Sequence, residues 1–236
     1  MVVSRIKSFL IQEKKFFILI FLLALFVRIA YIIMSTFHTS ILLGGALYID
    51  NYPEIAIRML RGVDSLSESI TERSPGYPAF LAAIYLIFGY NHMVVRINQA
   101  LIGSISVILI YALAKTVFSK EVAILASIWA IPYFHFVFYS GLLCRETIVV
   151  FVLLLVIISL LKTVKKPITK HICITALVSR IVISADPRFL FYIPFIFGWM
   201  LFTYTEKRKP IMDFALFLLI LIVMVGSWTI RNYVAY

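Results

Sequence analysis

The chain has 236 residues, of which 63% are hydrophobic and only 14% are charged, and its mean hydropathy is +1.03. Because soluble domains carry about 25% charged residues, this composition excludes a water-soluble globule. The net charge of +11 would suggest a nucleic-acid partner in a soluble protein, but in so apolar a chain it must be interpreted by its position relative to a membrane. We therefore expect a membrane environment and no nucleic acid.

Apolar segments recur along the chain, and six of them reach or approach the length of about 20 residues that a membrane-spanning helix needs. A seventh, 171–184, is shorter and carries Arg180. The stretch 78–90 has only 13 residues, so we interpret it as a re-entrant or interfacial helix, with a short true pass as the alternative. The six longer segments are 16–36, 94–114, 122–141, 147–161, 190–204 and 211–230.

The lysines orient these segments, because positively charged residues in short loops stay on the cytoplasmic side. All eleven lysines fall in four clusters, and if every cluster is cytoplasmic, an even number of passes separates successive clusters. The segment 171–184 must then cross the membrane. The sequence thus predicts an all-α polytopic membrane protein of about seven transmembrane helices, a single transmembrane domain over 1–236. We expect it in the plasma (inner) membrane of a cell envelope, with a cytoplasmic N-terminus and an outer C-terminus.

The long outer loop 37–93 has an organisation of its own. Asp50 or Asn51 can cap a helix, a proline suits its first turn, and apolar and charged residues then follow at helical spacing. This pattern predicts an amphipathic helix over 53–62 that lies along the membrane surface. Further on, a Ser-Pro-Gly-Tyr-Pro turn introduces the short apolar helix 78–90.

The outer side of this topology holds seven acids and seven arginines but no lysine. Arginine presents a planar fork that grips phosphate or carboxylate through two parallel hydrogen bonds, whereas lysine is a point charge. Such a set suits an anionic head group at the outer leaflet. The alternative is that these charges only mark helix ends at the interface. We favour the functional interpretation because charged pairs at 145–146, 186–188 and 231–232 interrupt apolar sequence at several outer helix ends.

Motifs spread over nearly the whole chain resemble one family of membrane enzymes in their order and spacing. The motifs are Asp50 with Tyr52, Arg73-Ser74-Pro75-Gly76-Tyr77-Pro78-Ala79-Phe80, Phe88-Gly89, Arg96, Pro132, Tyr139-Ser140-Gly141, Glu146 and Trp228-Thr229-Ile230-Arg231-Asn232-Tyr233. They resemble those of the polyprenyl-phosphate-sugar-dependent membrane glycosyltransferases. These enzymes form part of the glycosyltransferase C superfamily, with the protein O-mannosyltransferases and the lipid A aminoarabinose transferase.

The resemblance implies transfer of a sugar from a polyprenyl-phosphate carrier to a lipid, glycan or protein acceptor on the outer side, with inversion. A carboxylate in the first outer loop of that family acts as the base, and Asp50 is the nearest match, although the family's acid often lies further before the tyrosine. A helix cap is the alternative role of Asp50. Glu146 matches a second acid, which orients the acceptor or holds an arginine. The expected substrate-binding side chains are Arg58, Arg73, Arg96, Arg188, Arg231 and Tyr77.

The chain departs from the family in one respect, since full-length members usually continue past the motif around Arg231 into further passes. The resemblance therefore implies the N-terminal part, or a truncated core, of such a transferase. The alternative is a non-catalytic membrane subunit or lipid-carrier-binding fragment of the same fold, and a transporter is disfavoured because no internal repeat is apparent. The sequence indicates no metal ligands and identifies no cofactor, and it leaves a divalent cation open.

Overall fold

The computed structural model describes residues 2–37, 50–62, 74–165, 168–204 and 208–235, with side chains described for 14–36, 50–62, 74–163, 168–204 and 210–226. These residues form helices and turns, without a β-strand. The helices are α1 (Val2–Phe37), α2 (Tyr52–Arg61), α3 (Gly76–Phe88), α4 (His92–Val117), α5 (Lys120–Ala130), α6 (Phe134–Ser140), α7 (Glu146–Lys165), α8 (Thr169–Ala185), a 3-10 helix (Pro187–Tyr192), α9 (Ile193–Thr203) and α10 (Arg208–Ala235).

The described helices have the lengths and compositions of a membrane protein. Three of them, within α1, α4 and α7, are long and apolar enough to cross a bilayer, and the bent pair α5 and α6 is a candidate fourth span. Shorter apolar helices cover 76–88, 187–203 and 210–226. The prediction of an all-α membrane protein is confirmed, whereas the count of seven passes stays a prediction. The helices divide between two compact units: the first is Met1–Ile49 with Asn91–Thr147, and the second is Asp50–Tyr90 with Ile148–Tyr236.

In the first unit, α1, α4 and α5 pack around a core of small and aromatic side chains. Ala24 and Val107 are fully buried, and the ring of Tyr111 packs against those of Phe16 and Phe17, with centroids 5.3 Å away in each case. Small residues at such crossings let backbones approach closely, which matters in a membrane because packing contacts, rather than hydrophobicity, drive helix association there.

The predicted pass 122–141 is broken. α5 ends at Ala130, α6 begins at Phe134, and the two axes differ by 50°. Pro132 lies in the break, where it lacks the N–H that a continuous helix would require. The sequence predicted one uninterrupted segment, and the proline explains why the structure has two helices at this place.

The second unit begins with the two helices of the predicted outer loop. Asn51 occupies the N-cap position of α2, although its side chain makes no capping hydrogen bond, and the helix ends at Gly62 with a left-handed φ of 63°. Tyr52, Ile55 and Ala56 are buried on the side of α2 that packs against α3. The remaining side of α2 carries its charged residues, as an amphipathic helix requires.

Helix α8 packs against both α3 and α10 in the second unit. Gly76, in the first turn of α3, lies directly on the end of α8, since a Cβ atom at this glycine would come within 2.6 Å of the backbone nitrogen of Ala185. On another side, Arg180 donates from Nε to the carbonyl of Met224 on α10 and from Nη1 to the hydroxyl of Ser184, at 2.9 Å each. These bonds satisfy the arginine inside the apolar helix that the sequence identified as the weakest pass.

Candidate functional site

Two contacts bring the start of α2, the start of α3 and the end of α8 together. The ring of Tyr52 packs edge-on against the ring of Tyr77, with centroids 4.9 Å apart. The neighbouring Gly76 lies on the backbone of Ser184 and Ala185. Because only glycine permits this approach, the Ser-Pro-Gly-Tyr-Pro motif has a structural explanation at this position.

Charged residues of the predicted site flank these contacts. Asp50 precedes Tyr52 by two residues, and Asp186 and Arg188 follow the end of α8 directly. All of them consequently lie at one end of the second unit. We name it the Asp50–Arg188 end, defined by Asp50, Tyr52, Gly76, Tyr77, Asp186 and Arg188.

Asp50 is half-buried and lies immediately before α2. The N-cap position of this helix belongs to its neighbour, Asn51. Because the Asn51 side chain makes no capping hydrogen bond, the helix-cap alternative for Asp50 stays a prediction beside the role of base. A carboxylate in this position can accept a proton from a bound hydroxyl.

Asp186 and Arg188 form a forked ion pair. Nη2 of the arginine lies 2.6 Å from Oδ2 of the aspartate, and Nε lies 3.0 Å from both carboxylate oxygens. Asp186 also accepts the backbone N–H of Arg188 at 3.1 Å, which caps the 3-10 helix. The side chain of Asp186 is 6% exposed and that of Arg188 is 74% exposed. A buried acid thus holds an exposed guanidinium in a fixed orientation, in which it can also contact an anion.

An apolar groove of about 300 Å³ is lined by residues that flank this ion pair in the chain. It runs along α8, the 3-10 helix, α9 and α10, and Ile183 and Leu190 bring it within three residues of Asp186 and Arg188 in the chain. No charged or polar side chain of the described residues lines it. The lining residues are Ile183, Leu190, Ile193, Leu218, Leu221, Ile222, Val225 and Gly226.

Two further predicted binding residues belong to the second unit. Tyr77 is fully buried, with its ring packed edge-on against Tyr52 and stacked at 6.0 Å on Phe80. Its position is that of a packing residue between α2 and α3. Arg58 lies on the exposed side of α2, where a ligand at the protein surface could contact it.

Arg96 lies in the first unit and is only 3% exposed. Its Nε donates to the carbonyl of Gly141 at 2.7 Å, its Nη1 to the hydroxyl of Thr36 at 2.8 Å, and its Nη2 to Ser35 and to the carbonyl of Ile32. All three guanidinium nitrogens therefore bond to the protein itself. This arrangement joins the end of α1 to the turn that follows α6.

Gln99, one helical turn after Arg96, was not singled out from the sequence. It is fully buried, and its Nε2 donates to the carbonyls of Leu142 at 2.6 Å and Tyr139 at 3.2 Å. Arg96 and Gln99 together hold the turn around Gly141. An amide inside an otherwise apolar membrane helix is costly unless it is bonded, and this signal could have identified Gln99 in advance.

Glu146 lies at the first position of α7, at the edge of the first unit. Its Oε2 is buried and has no hydrogen-bond partner among the described residues. The hydroxyl of the neighbouring Thr147 is also buried and also lacks a partner among them. Buried polar atoms without partners are uncommon and call for an explanation. Glu146 therefore stays a candidate for contact with a bound group.

The remaining candidates lie beyond the described side chains. Arg73 lies outside the described residues, and Arg231 is in the helical backbone of α10 but its side chain is not described. Within the described residues, no group of three or more His, Cys, Asp or Glu side chains could hold a metal ion.

Comparison with known proteins assigns the chain to a family. Residues 72–228 match the family model described as dolichyl-phosphate-mannose-protein mannosyltransferase. This stretch is more than half of the chain and includes α3 and the Asp186–Arg188 pair, whereas Asp50 precedes it. No curated protein matches the chain. The chain therefore belongs to the dolichyl-phosphate-mannose-protein mannosyltransferase family, and it is a multi-pass integral membrane protein of the glycosyltransferase C type.

Proposed function

We propose that the protein transfers a sugar from a polyprenyl-phosphate carrier to a hydroxyl of a lipid, glycan or protein acceptor, with inversion at the anomeric carbon. The reaction takes place at the outer face of the plasma membrane, with the N-terminus of the chain in the cytoplasm. The observation that carries the proposal is the convergence of the α2 start with the Asp186–Arg188 pair at the Asp50–Arg188 end.

The donor phosphate binds at Arg188. The fork to Asp186 fixes the guanidinium, and its 74% exposure leaves it accessible to a ligand. The adjoining apolar groove takes the first isoprene units of the carrier, because its lining offers only apolar side chains to a hydrocarbon. Arg58, Arg73 and Arg231 are the further arginines that we assign to the phosphate.

Asp50 acts as the base. As the acceptor oxygen attacks the anomeric carbon, the bond from that carbon to the phosphate oxygen breaks, and the acceptor proton passes to the Asp50 carboxylate. The electron pair of the broken bond remains on the polyprenyl phosphate, where fixed arginines stabilise the developing charge. We also assign Glu146 to contact with a bound group, and its buried oxygen, which has no partner among the described residues, supports this assignment.

Replacing Asp50 by Asn tests the proposal. The amide has the same shape but cannot take a proton, so sugar transfer should fall by about 10²-fold to 10⁴-fold. Transfer is measured in membranes supplied with a polyprenyl-phosphate sugar, at matched protein amounts. Glu54→Gln is the matched control, because Glu54 is an exposed acid on α2, the helix that Asp50 precedes, and it should retain full activity.

Undiminished transfer by Asp50→Asn would overturn the assignment of the base. Co-purification of polyprenyl phosphate without turnover, in the unaltered chain and in the variant alike, would instead favour the non-catalytic subunit or lipid-carrier-binding fragment.

A further inference from the structure

A second groove, of about 370 Å³, lies between α7 and α8 in the second unit. Its lining follows one face of each helix, at spacings of three and four residues, as neighbouring side chains on a helix face do. On α7 the lining residues are Leu155, Ile158, Ser159 and Lys162, and on α8 they are Lys170, His171, Ile174 and Val178.

The groove has a basic end and an apolar end. Lys162 near the end of α7 and Lys170 at the start of α8 are both exposed, and His171 lies beside them. The remainder of the lining is aliphatic apart from Ser159, whose hydroxyl is bonded to the carbonyl of Val156. No carboxylate occurs among these lining residues, all of which are described, so the two ammonium groups can attract an anion.

The helices that form the groove are fastened to each other. The hydroxyls of Thr163 and Thr175 are both buried and lie 3.0 Å apart, in hydrogen-bond contact between α7 and α8. This bond joins the two helices at the basic end of the groove. Furthermore, Ile168 at the N-cap of α8 has no side chain that can cap the first turn, and the N–H groups of such a turn favour negative charge nearby.

The basic end of the groove lies far from the proposed transfer site. Along α8, Lys170 precedes Ala185 by 15 residues, which corresponds to about 23 Å of helix. This length approaches the thickness of a bilayer core, about 30 Å. With α8 crossing the membrane as the sequence predicts, the groove and the Asp50–Arg188 end face opposite membrane surfaces, and the groove opens on the side where the lysines are predicted to be cytoplasmic.

We propose that this groove binds an anionic phospholipid of the cytoplasmic leaflet. The phosphate lies between Lys162 and Lys170, and an acyl chain follows Ile158, Ile174 and Val178. The combination of two cations at one end with an aliphatic lining at the other matches a charged amphiphile, and the anionic lipids of that leaflet supply one. The proposal is independent of sugar transfer.

Lipid binding by the purified full chain tests this inference. Native mass spectrometry counts bound lipid as phosphatidylglycerol or phosphatidylcholine is titrated into the detergent-solubilised protein. We expect phosphatidylglycerol to bind at least about ten-fold more tightly than phosphatidylcholine, and the double variant K162Q/K170Q to lose this preference. Glycerol phosphate, which has the head group without the chains, should not compete.

Two control variants distinguish the effect of the lysine charges from the effect of their position in the groove. K162R/K170R keeps both charges and should keep the preference, whereas K115Q/K120Q removes two lysines outside the groove and should also keep it. Should the double glutamine variant fail to fold, each single substitution at these exposed positions gives the same test with a smaller loss. Equal binding of the two lipids, equal losses in K162Q/K170Q and K115Q/K120Q, or full competition by glycerol phosphate would overturn the proposal.

Discussion

Arg96 in the first unit and Arg188 in the second unit show two uses of arginine that look alike in the sequence. Arg96 is 3% exposed, and its three nitrogens bond to backbone carbonyls and hydroxyls of its own unit. The side chain of Arg188 is 74% exposed and is oriented by one buried aspartate. A buried guanidinium whose donors are engaged stabilises the fold, whereas an exposed one held by an acid can also receive an anion. We therefore expect Arg96 to act on stability and Arg188 on donor binding.

The largest effect on stability is expected from Arg96→Ala. The substitution leaves the carbonyl of Gly141 and the hydroxyl of Ser35, both buried, without their donor, and each such group costs roughly 1–3 kcal/mol. The free energy of unfolding should fall by about 3 kcal/mol or more, as measured by denaturation in detergent micelles. Arg96→Lys should recover part of this loss. A stable Arg96→Ala protein that had lost only donor affinity would reverse the roles assigned to the two arginines.

A smaller effect is expected from Gly76→Ala in the second unit. The new methyl group would come within 2.6 Å of the backbone of α8, so α3 and α8 must separate, and overpacking of this kind costs about 1–3 kcal/mol. Gly198→Ala is the control, since no described residue lies within 4 Å of a Cβ there. Thermal unfolding of both variants gives the comparison. Equal melting temperatures would mean that the close approach at Gly76 contributes nothing to the fold.

The smallest effect is expected from Gln99→Leu. This change removes the bonds to the turn around Gly141, at a cost of about 1 kcal/mol for each well-formed bond. Asn98→Leu is the matched control, because the Asn98 amide donates to the carbonyl of Val94 on its own helix and to no other described residue. The turn should become more accessible to hydrogen exchange in the first variant and not in the second. The opposite order would show that Gln99 does not hold the turn.

Most of the helices could be predicted from the sequence, because their positions depend on the apolar composition of each segment. The segment predicted at 94–114 is contained in α4, His92–Val117, since a long apolar run has few alternatives in a bilayer. The break near Pro132 has a local signal in the sequence, the proline itself. The close contact of Gly76 with Ala185 has no local signal, because it joins backbone segments that are more than one hundred residues apart in the chain.

The candidate site was less predictable than the helices. An arginine at a helix end has the same sequence signature whether its acceptors are carbonyls of the protein or oxygens of a ligand, and tertiary packing decides between them. For this reason the sequence predicted the same role, binding of the substrate, for Arg96 and Arg188. Tyr77 was likewise expected to bind substrate, but its ring packs against those of Tyr52 and Phe80.

The affinity of the purified protein for a polyprenyl phosphate, with Arg188 intact or replaced by Ala, tests the central claim most directly. Loss of a charged, forked donor to phosphate should weaken binding by about ten-fold to one hundred-fold, with an unchanged unfolding transition. Arg61→Ala, at the exposed far end of α2, should bind as the unaltered protein does. An unchanged dissociation constant in Arg188→Ala would contradict the assignment of the donor site to the Asp50–Arg188 end.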